Sequence, residues 1–174
     1  MSTEAEAALS APRELPKPVQ SLRRQVLNPW LLKLFFFGSL PMALFAGLRV
    51  RSLDRHRCAT TVPYGWRTKN PFRSTYFAAQ SMAAELSTGA LGMLAVRAAP
   101  QPVAMLIVNL EAQFEKKATS RVTFTCEDGE AIFQAVEDTS RDGEPRTVHA
   151  TTVGTTADGT VVSRFVFTWS FKRR

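Results

Sequence analysis

One stretch limits what this chain can fold into more than any other. Between Ser74 and Val96, inside the segment Asn70 to Arg97, 23 residues carry a single formal charge, Glu85. No proline interrupts them. Alanines and leucines dominate, and the pattern predicts one long helix, apolar nearly all round and therefore largely buried. Small residues at Ala78, Ala79, Ala83, Ala84, Gly89, Ala90 and Gly92 let other backbone come close to it. Glu85 has no basic neighbour at helical spacing: Ser81 and Gly89 lie four residues away, Met82 and Thr88 three. A carboxylate so placed needs a hydrogen-bonding partner elsewhere, or takes a raised pKa. Either way it is a candidate functional residue.

A chain of 174 residues, 45% of them hydrophobic, is enough for one domain and a tail. Cys58 and Cys126 lack metal-ligand spacing, and His56 and His149 stand apart from each other. All four read as ordinary strand residues. No structural metal and no cofactor is expected, and a reduced, cytoplasmic protein is the simplest reading. The first residues are acidic and alanine-rich, so no signal peptide is expected. The net charge of +7 is unevenly spread: from Arg49 to Arg73 seven basic residues face Asp54 alone. That excess suits an anionic partner. No helix-turn-helix, zinc or RNA-binding signature is present, so nucleic acid is not expected. Cofactor phosphates or an acidic carrier protein fit a local patch, and so does a solvated basic face with no ligand.

Residues 1–27 read as a disordered or extended tail, polar as far as about Lys17, with prolines at Pro12, Pro16 and Pro18. The domain then runs over 28–174. Asn28-Pro29 is a helix start, with Asn as the cap and Pro in the first turn. Gly38-Ser39 interrupts the hydrophobic run that follows, and Pro41 opens a second short helix through Leu48. Trp30 to Leu48 is 19 residues with one charge, Lys33, and approaches spanning length. The break at its middle favours two short helices packed on the domain, with membrane-surface contact as the alternative. Leu48–Leu53 and His56–Val62 read as strands joined by a turn at Asp54-Arg55. Ala99-Pro100 ends the long helix. Val103–Phe114, Ala118–Cys126 and Val161–Phe171 then read as strands. Asp128-Gly129, Asp142-Gly143 and Asp158-Gly159 read as hairpin turns between them. The second half is thus expected to be an antiparallel meander of about five strands, curled around the long helix. Open edges on such a sheet suit pairing across a two-fold axis.

This order of elements resembles the hot-dog fold, an α+β arrangement in which a curved antiparallel sheet wraps a long central helix. The residues around the helix sharpen the likeness. Hot-dog thioesterases of the phenylacetate-pathway type carry an Asn, a His-Gly-Gly beginning six residues on, and an Asp or Glu fifteen residues after the Asn. Here Asn70 is followed fifteen residues later by Glu85, and Ala84-Glu85 is similar to the family's Ala-Asp/Glu pair. Asp158-Gly159-Thr160-Val161-Val162, continuing through Trp169 to Lys172, resembles the superfamily's last hairpin. The likeness covers Asn28 to Arg174. It is greatest to a branch without an established function, which has extra N-terminal helices and lacks His-Gly-Gly.

The resemblance implies an acyl-CoA thioester hydrolase with no cofactor, working as a homodimer or tetramer with sites shared between chains. Glu85 would be the general base, Asn70 would orient the water, and the Phe77 N–H would hold the thioester carbonyl. Tyr76-Phe77-Ala78 stands where the family has His-Gly-Gly. The N–H at Phe77 survives that change, but its side chain adds bulk, and Tyr76 replaces only part of the lost histidine's hydrogen bonding. Tyr76, Arg67, Lys69 and Arg73 are candidate substrate-binding residues, the three cations for the phosphates of coenzyme A. A structural reading stands beside each of these: Glu85 a buried carboxylate with a local partner, Asn70 a turn former, Tyr76 a core residue. A non-catalytic acyl-CoA or lipid-binding module is the alternative function.

Overall fold

The computed structural model describes residues 17–174. The tail expected before Lys17 lies outside the described residues. Residues 17–27, read as part of that tail, are instead a helix, α1 (Lys17–Leu27). Val19 is fully buried and Leu22 and Val26 pack against the core. Their spacing of three and four is helical, and Pro18 sits in the first turn, where its missing N–H costs nothing.

Helix α2 (Pro29–Ser39) begins as expected: the Asn28 Oδ1 accepts hydrogen bonds from the Trp30 and Leu31 N–H groups. It ends at the Gly38-Ser39 break, and α3 (Pro41–Ala46) follows. No helix among the described residues is long and apolar enough to cross a membrane. Strands β1 (Arg49–Leu53) and β2 (Cys58–Val62) flank a turn in which the Asp54 carboxylate accepts from the His56 and Arg57 N–H groups. The long helix, α4 (Phe77–Ala98), spans 22 residues. After it come β3 (Val103–Phe114), β4 (Val122–Cys126), α5 (Gly129–Asp142), β5 (Arg146–Thr155) and β6 (Val161–Arg173).

The six strands form one antiparallel sheet in the order β1-β2-β4-β5-β6-β3. All six touch α4, and α1 and α5 also pack on it. This is the helix-and-sheet arrangement the resemblance implies, with one correction. The expected five-strand meander is four strands and a helix. Asp128-Gly129 and Asp142-Gly143 are not hairpin turns but the two ends of α5. Asp128 sits at its N-cap, and Gly143 closes it in the left-handed conformation, at φ 86°. Between them the buried residues Ile132, Phe133, Val136, Thr139 and Ser140 repeat at helical, not alternating, spacing. Of the three Asp-Gly pairs, Asp158-Gly159 alone makes a hairpin, joining β5 to β6.

The sheet's two edges are treated differently. At β1 the Arg23 Nε donates to the Leu53 carbonyl, so α1 leans on that edge. At β3 the outer side is bare. Leu110 and Phe114 lie opposite Phe167 and Ser163 of β6, yet remain 45% and 51% exposed.

Candidate functional site

Helix α4 is apolar on every side, but its own chain covers only part of it. Its buried polar side chains are each satisfied. The Gln80 Nε2 donates to the Thr75 carbonyl while its Oε1 accepts from the Ser163 hydroxyl, at 2.8 Å. Ser87 and Thr152 share a 2.8 Å hydroxyl contact, and the Trp169 indole N–H donates to the Thr88 hydroxyl. From β2, the Thr60 hydroxyl donates to the Ala83 carbonyl. The opposite flank is an incompletely covered stripe running through Phe77, Met82, Glu85, Leu86 and Met93.

Glu85 is the one charge on that stripe until Arg97 near its end. It is exposed rather than buried, which corrects the expectation of a buried carboxylate. Its carboxylate has no hydrogen-bond or ion-pair partner among the described residues. Desolvation by the apolar groups around it pushes its pKa up. It lines a mostly apolar cavity of about 440 Å³, with Leu40 and Met42 from the α2–α3 corner, Leu86 and Met93 from its own helix, and Met105 and Trp169 from the sheet.

At the start of α4 lies a second, shallower groove of about 600 Å³, lined by Asn70, Tyr76, Phe77, Gln80, Lys116 and Lys117 among others. No side chain caps the helix here, so the Phe77 N–H is one of the free donors of the first turn. Tyr76 is exposed, not core: its N–H donates to the Thr68 carbonyl, and its ring packs edge-on against Phe77 at 4.8 Å. The Asn70 Oδ1 accepts from the Phe72 and Ser74 N–H groups and the Ser74 hydroxyl, which ties the loop into α4. That is the turn-forming role, and it occupies the acceptor end only. The Nδ2 donors make no hydrogen bond among the described residues. Within that loop Arg73 takes a left-handed backbone, φ 58°, which is costly for a residue with a Cβ.

The structure therefore brings Asn70, Tyr76 and the Phe77 N–H together and leaves Glu85 in a different cavity of the same chain. It does not bring the three candidate cations to the groove. The Arg67 guanidinium lies 6.0 Å from the Phe45 ring, beside α3, and Lys69 and Arg73 are exposed outside the lining. Lys116 and Lys117 stand there instead, in the turn after β3, which the Glu115 and Lys116 N–H groups fasten by donating to the Val162 carbonyl. Sequence reasoning also passed over Gln80, although an amide inside an apolar helix is a visible signal. Cys58 and Cys126 lie opposite each other on β2 and β4, both fully buried, and burial pushes the Cys126 thiol up to about 12. His56 sits 3.5 Å from Glu130, and His149 shares a 3.0 Å contact with the Thr168 hydroxyl.

A family model described as a domain of unknown function, DUF4442, matches residues 28–171. No curated protein matches the sequence. Among solved structures the chain is similar to PA5026 of Pseudomonas aeruginosa, a protein of unknown function described as a probable thioesterase. Identity is 18%, over 86% of this chain and 99% of that one, with a TM-score of 0.69. It is also similar to thioesterase HI1161 of Haemophilus influenzae (13% identity, 87% and 95% covered, TM-score 0.62). A mutant of thioesterase PA1618 of Pseudomonas aeruginosa gives 17% identity, 88% and 99% coverage, and a TM-score of 0.63. These likenesses establish the hot-dog fold for the chain.

Proposed function

The chain belongs to the DUF4442 family, and from that premise we propose that it is a thioester hydrolase acting on acyl-CoA or acyl-carrier thioesters, with Glu85 as general base. One observation carries the reading. Glu85 is an unpartnered carboxylate of raised pKa in the wall of an apolar cavity large enough for an acyl chain. A structural carboxylate would have a partner, whereas a general base needs its lone pair free and its pKa lifted toward the working pH. The step balances simply. The Glu85 carboxylate takes a proton from water, and the oxygen attacks the thioester carbon. The resulting oxyanion is held by the free Phe77 N–H at the positive end of α4. Collapse expels the thiolate, which takes up the proton, and leaves the free acid.

The base and the donor must come from different chains. Eight residues separate Phe77 from Glu85, or about 12 Å along the helix, too far for both to touch one carbonyl. An antiparallel second copy, covering the apolar stripe of α4 and the bare face of β3, brings Glu85 of one chain to Asn70 and Phe77 of the other. The exposed Leu110 and Phe114 support such a cover. Lys116 and Lys117 beside the groove then replace Arg67, Lys69 and Arg73 as the cations for substrate phosphates.

Thiol release from short, long and aromatic acyl-CoAs tests this. Glu85→Gln is expected to lower the rate by about 10²–10⁴-fold, with the circular dichroism spectrum unchanged. In the wild type the rate falls as pH drops through the raised pKa of Glu85. A wild type that binds acyl-CoA but hydrolyses none would make the chain a binding module, and the replacement of His-Gly-Gly by Tyr76-Phe77-Ala78 favours that second reading.

A further inference from the structure

The α2–α3 corner presents a ridge whose α2 residues the hydrolase reading does not use. Trp30, Leu34 and Phe37 recur at four and three residues along α2, on the side opposite the buried Leu32 and Phe36. They are 77%, 68% and 73% exposed, and Met42 continues the ridge onto α3. Large apolar side chains rarely stand so far into water in one line unless something covers them.

Charge indicates what the cover is. From Lys17 to Ala84 the sequence holds eleven basic residues and one acid, Asp54, a local excess of ten in a chain whose net charge is +7. No acid at all occurs between Lys17 and Leu53. Lys33 lies 4.8 Å from the Trp30 ring, and Arg67 sits over Phe45 at the far end of the corner. Lys33, Arg49, Arg51 and Arg67 are exposed and form no ion pair with any described residue. Tryptophan and phenylalanine exposed in one line on α2, with Lys33 beside Trp30 and a basic sequence on either side, match the boundary between acyl chains and anionic headgroups.

We propose that the α2–α3 ridge docks this protein peripherally on an anionic bilayer, with Trp30 and Phe37 at the acyl boundary and Lys33, Arg49 and Arg51 against the headgroups. The same corner supplies Leu40 and Met42 to the wall of the Glu85 cavity, so docking sets that cavity beside the lipid.

Gradient flotation of the full chain needs no enzymatic activity and so stands or falls independently of the hydrolase reading. With phosphatidylcholine vesicles holding about 30% phosphatidylglycerol at about 0.1 M salt, the protein floats; pure phosphatidylcholine or about 0.5 M salt weakens this. Trp30→Ser with Phe37→Ser lowers the floated fraction about tenfold or more. Both residues are exposed and outside the Glu85 cavity and the Asn70 groove. A triple change of Lys33, Arg49 and Arg51 to Gln abolishes the preference for anionic vesicles. Three results each overturn the proposal: a wild type that stays at the bottom with anionic vesicles, a Trp30/Phe37 variant that floats like the wild type, and a ridge variant whose only change is a smaller mass by light scattering. The last would assign the ridge to a second copy.

Discussion

The shared-site arrangement makes a quantitative prediction. Within one chain Asn70 and the Phe77 N–H border one groove and Glu85 lines another cavity, with about 12 Å of helix between Phe77 and Glu85. Two lesions are chosen to leave the fold alone. Glu85→Gln removes the base. Asn70→Asp keeps the Oδ atom that holds Phe72 and Ser74 in place and removes the free Nδ2 donors; Asn70→Ala would unfasten the loop as well. Each variant alone is expected to fall below about 1% of wild-type rate. When the two are unfolded together and refolded as an equal mixture, random pairing puts both variants in half of the dimers. In each of those, one site collects both lesions and the other none, so about a quarter of all sites are intact. Thiol release from acyl-CoA should therefore return to about a quarter of the wild-type rate. If both residues serve one site within a chain, every site keeps one lesion and mixing restores nothing. Heterodimers verified by native mass spectrometry, with no recovered rate, would falsify the shared site.

Two further predictions concern stability. Because desolvation raises the pKa of Glu85, the folded chain binds that proton more tightly than the unfolded one. The ionised carboxylate thus weakens the fold; the penalty is complete above the raised pKa, fades as pH falls through it, and is gone below the ordinary glutamate value of about 4.3. Glu85→Gln should melt above the wild type at pH 7, the two curves converging toward pH 4; an equal or lower melting temperature at pH 7 would contradict the desolvation account. Gly129→Ala should cost about 3 kcal/mol or more in urea unfolding. Its Cβ would lie 2.2 Å from the Arg55 carbonyl oxygen and 2.6 Å from that of His56; both are backbone atoms that cannot swing aside, and a loss under about 1 kcal/mol would show that the turn gives way.

What the sequence made legible follows from how local each signal is. Asn28-Pro29 starts a helix through contacts within three residues, so it could be read directly. Alpha4 was legible because 23 residues with one charge admit few other structures. The Asp-Gly pairs at 128 and 142 misled because the same dipeptide starts and stops a helix as readily as it turns a hairpin. The arbiter was the spacing from Ile132 to Ser140, four and three rather than two. Residues 17–27 hide their helix for a related reason: Pro12, Pro16 and Pro18 are strong breaker signals beside the short apolar spacing of Val19, Leu22 and Val26. Lys116 and Lys117 carry no local signal at all. They reach the groove because β3 crosses to the far edge of the sheet and pairs with β6, which only the non-local topology decides.

Sheet topology also explains why the candidate site gathers where it does. β1, the N-terminal edge, is closed by α1 and carries the exposed arginines 49 and 51, so further strands are discouraged there. β3, the other edge, is 12 residues long, and Leu106, Val108, Leu110 and Phe114 are exposed along it. Alpha4 leaves its least covered stripe uncapped, with Glu85 on it and the free N–H groups at its end. An edge that invites pairing and a helix stripe that lacks cover are two halves of one incomplete surface. Placing the only unpartnered carboxylate of the helix on that stripe means that completing the surface also encloses the base. In the proposed shared-site dimer, assembly and chemistry would be one event: a contact that buries Leu110 and Phe114 would also dry the Glu85 cavity and raise its pKa further. A chain held monomeric by a charge at position 110 should keep its fold and lose its hydrolysis.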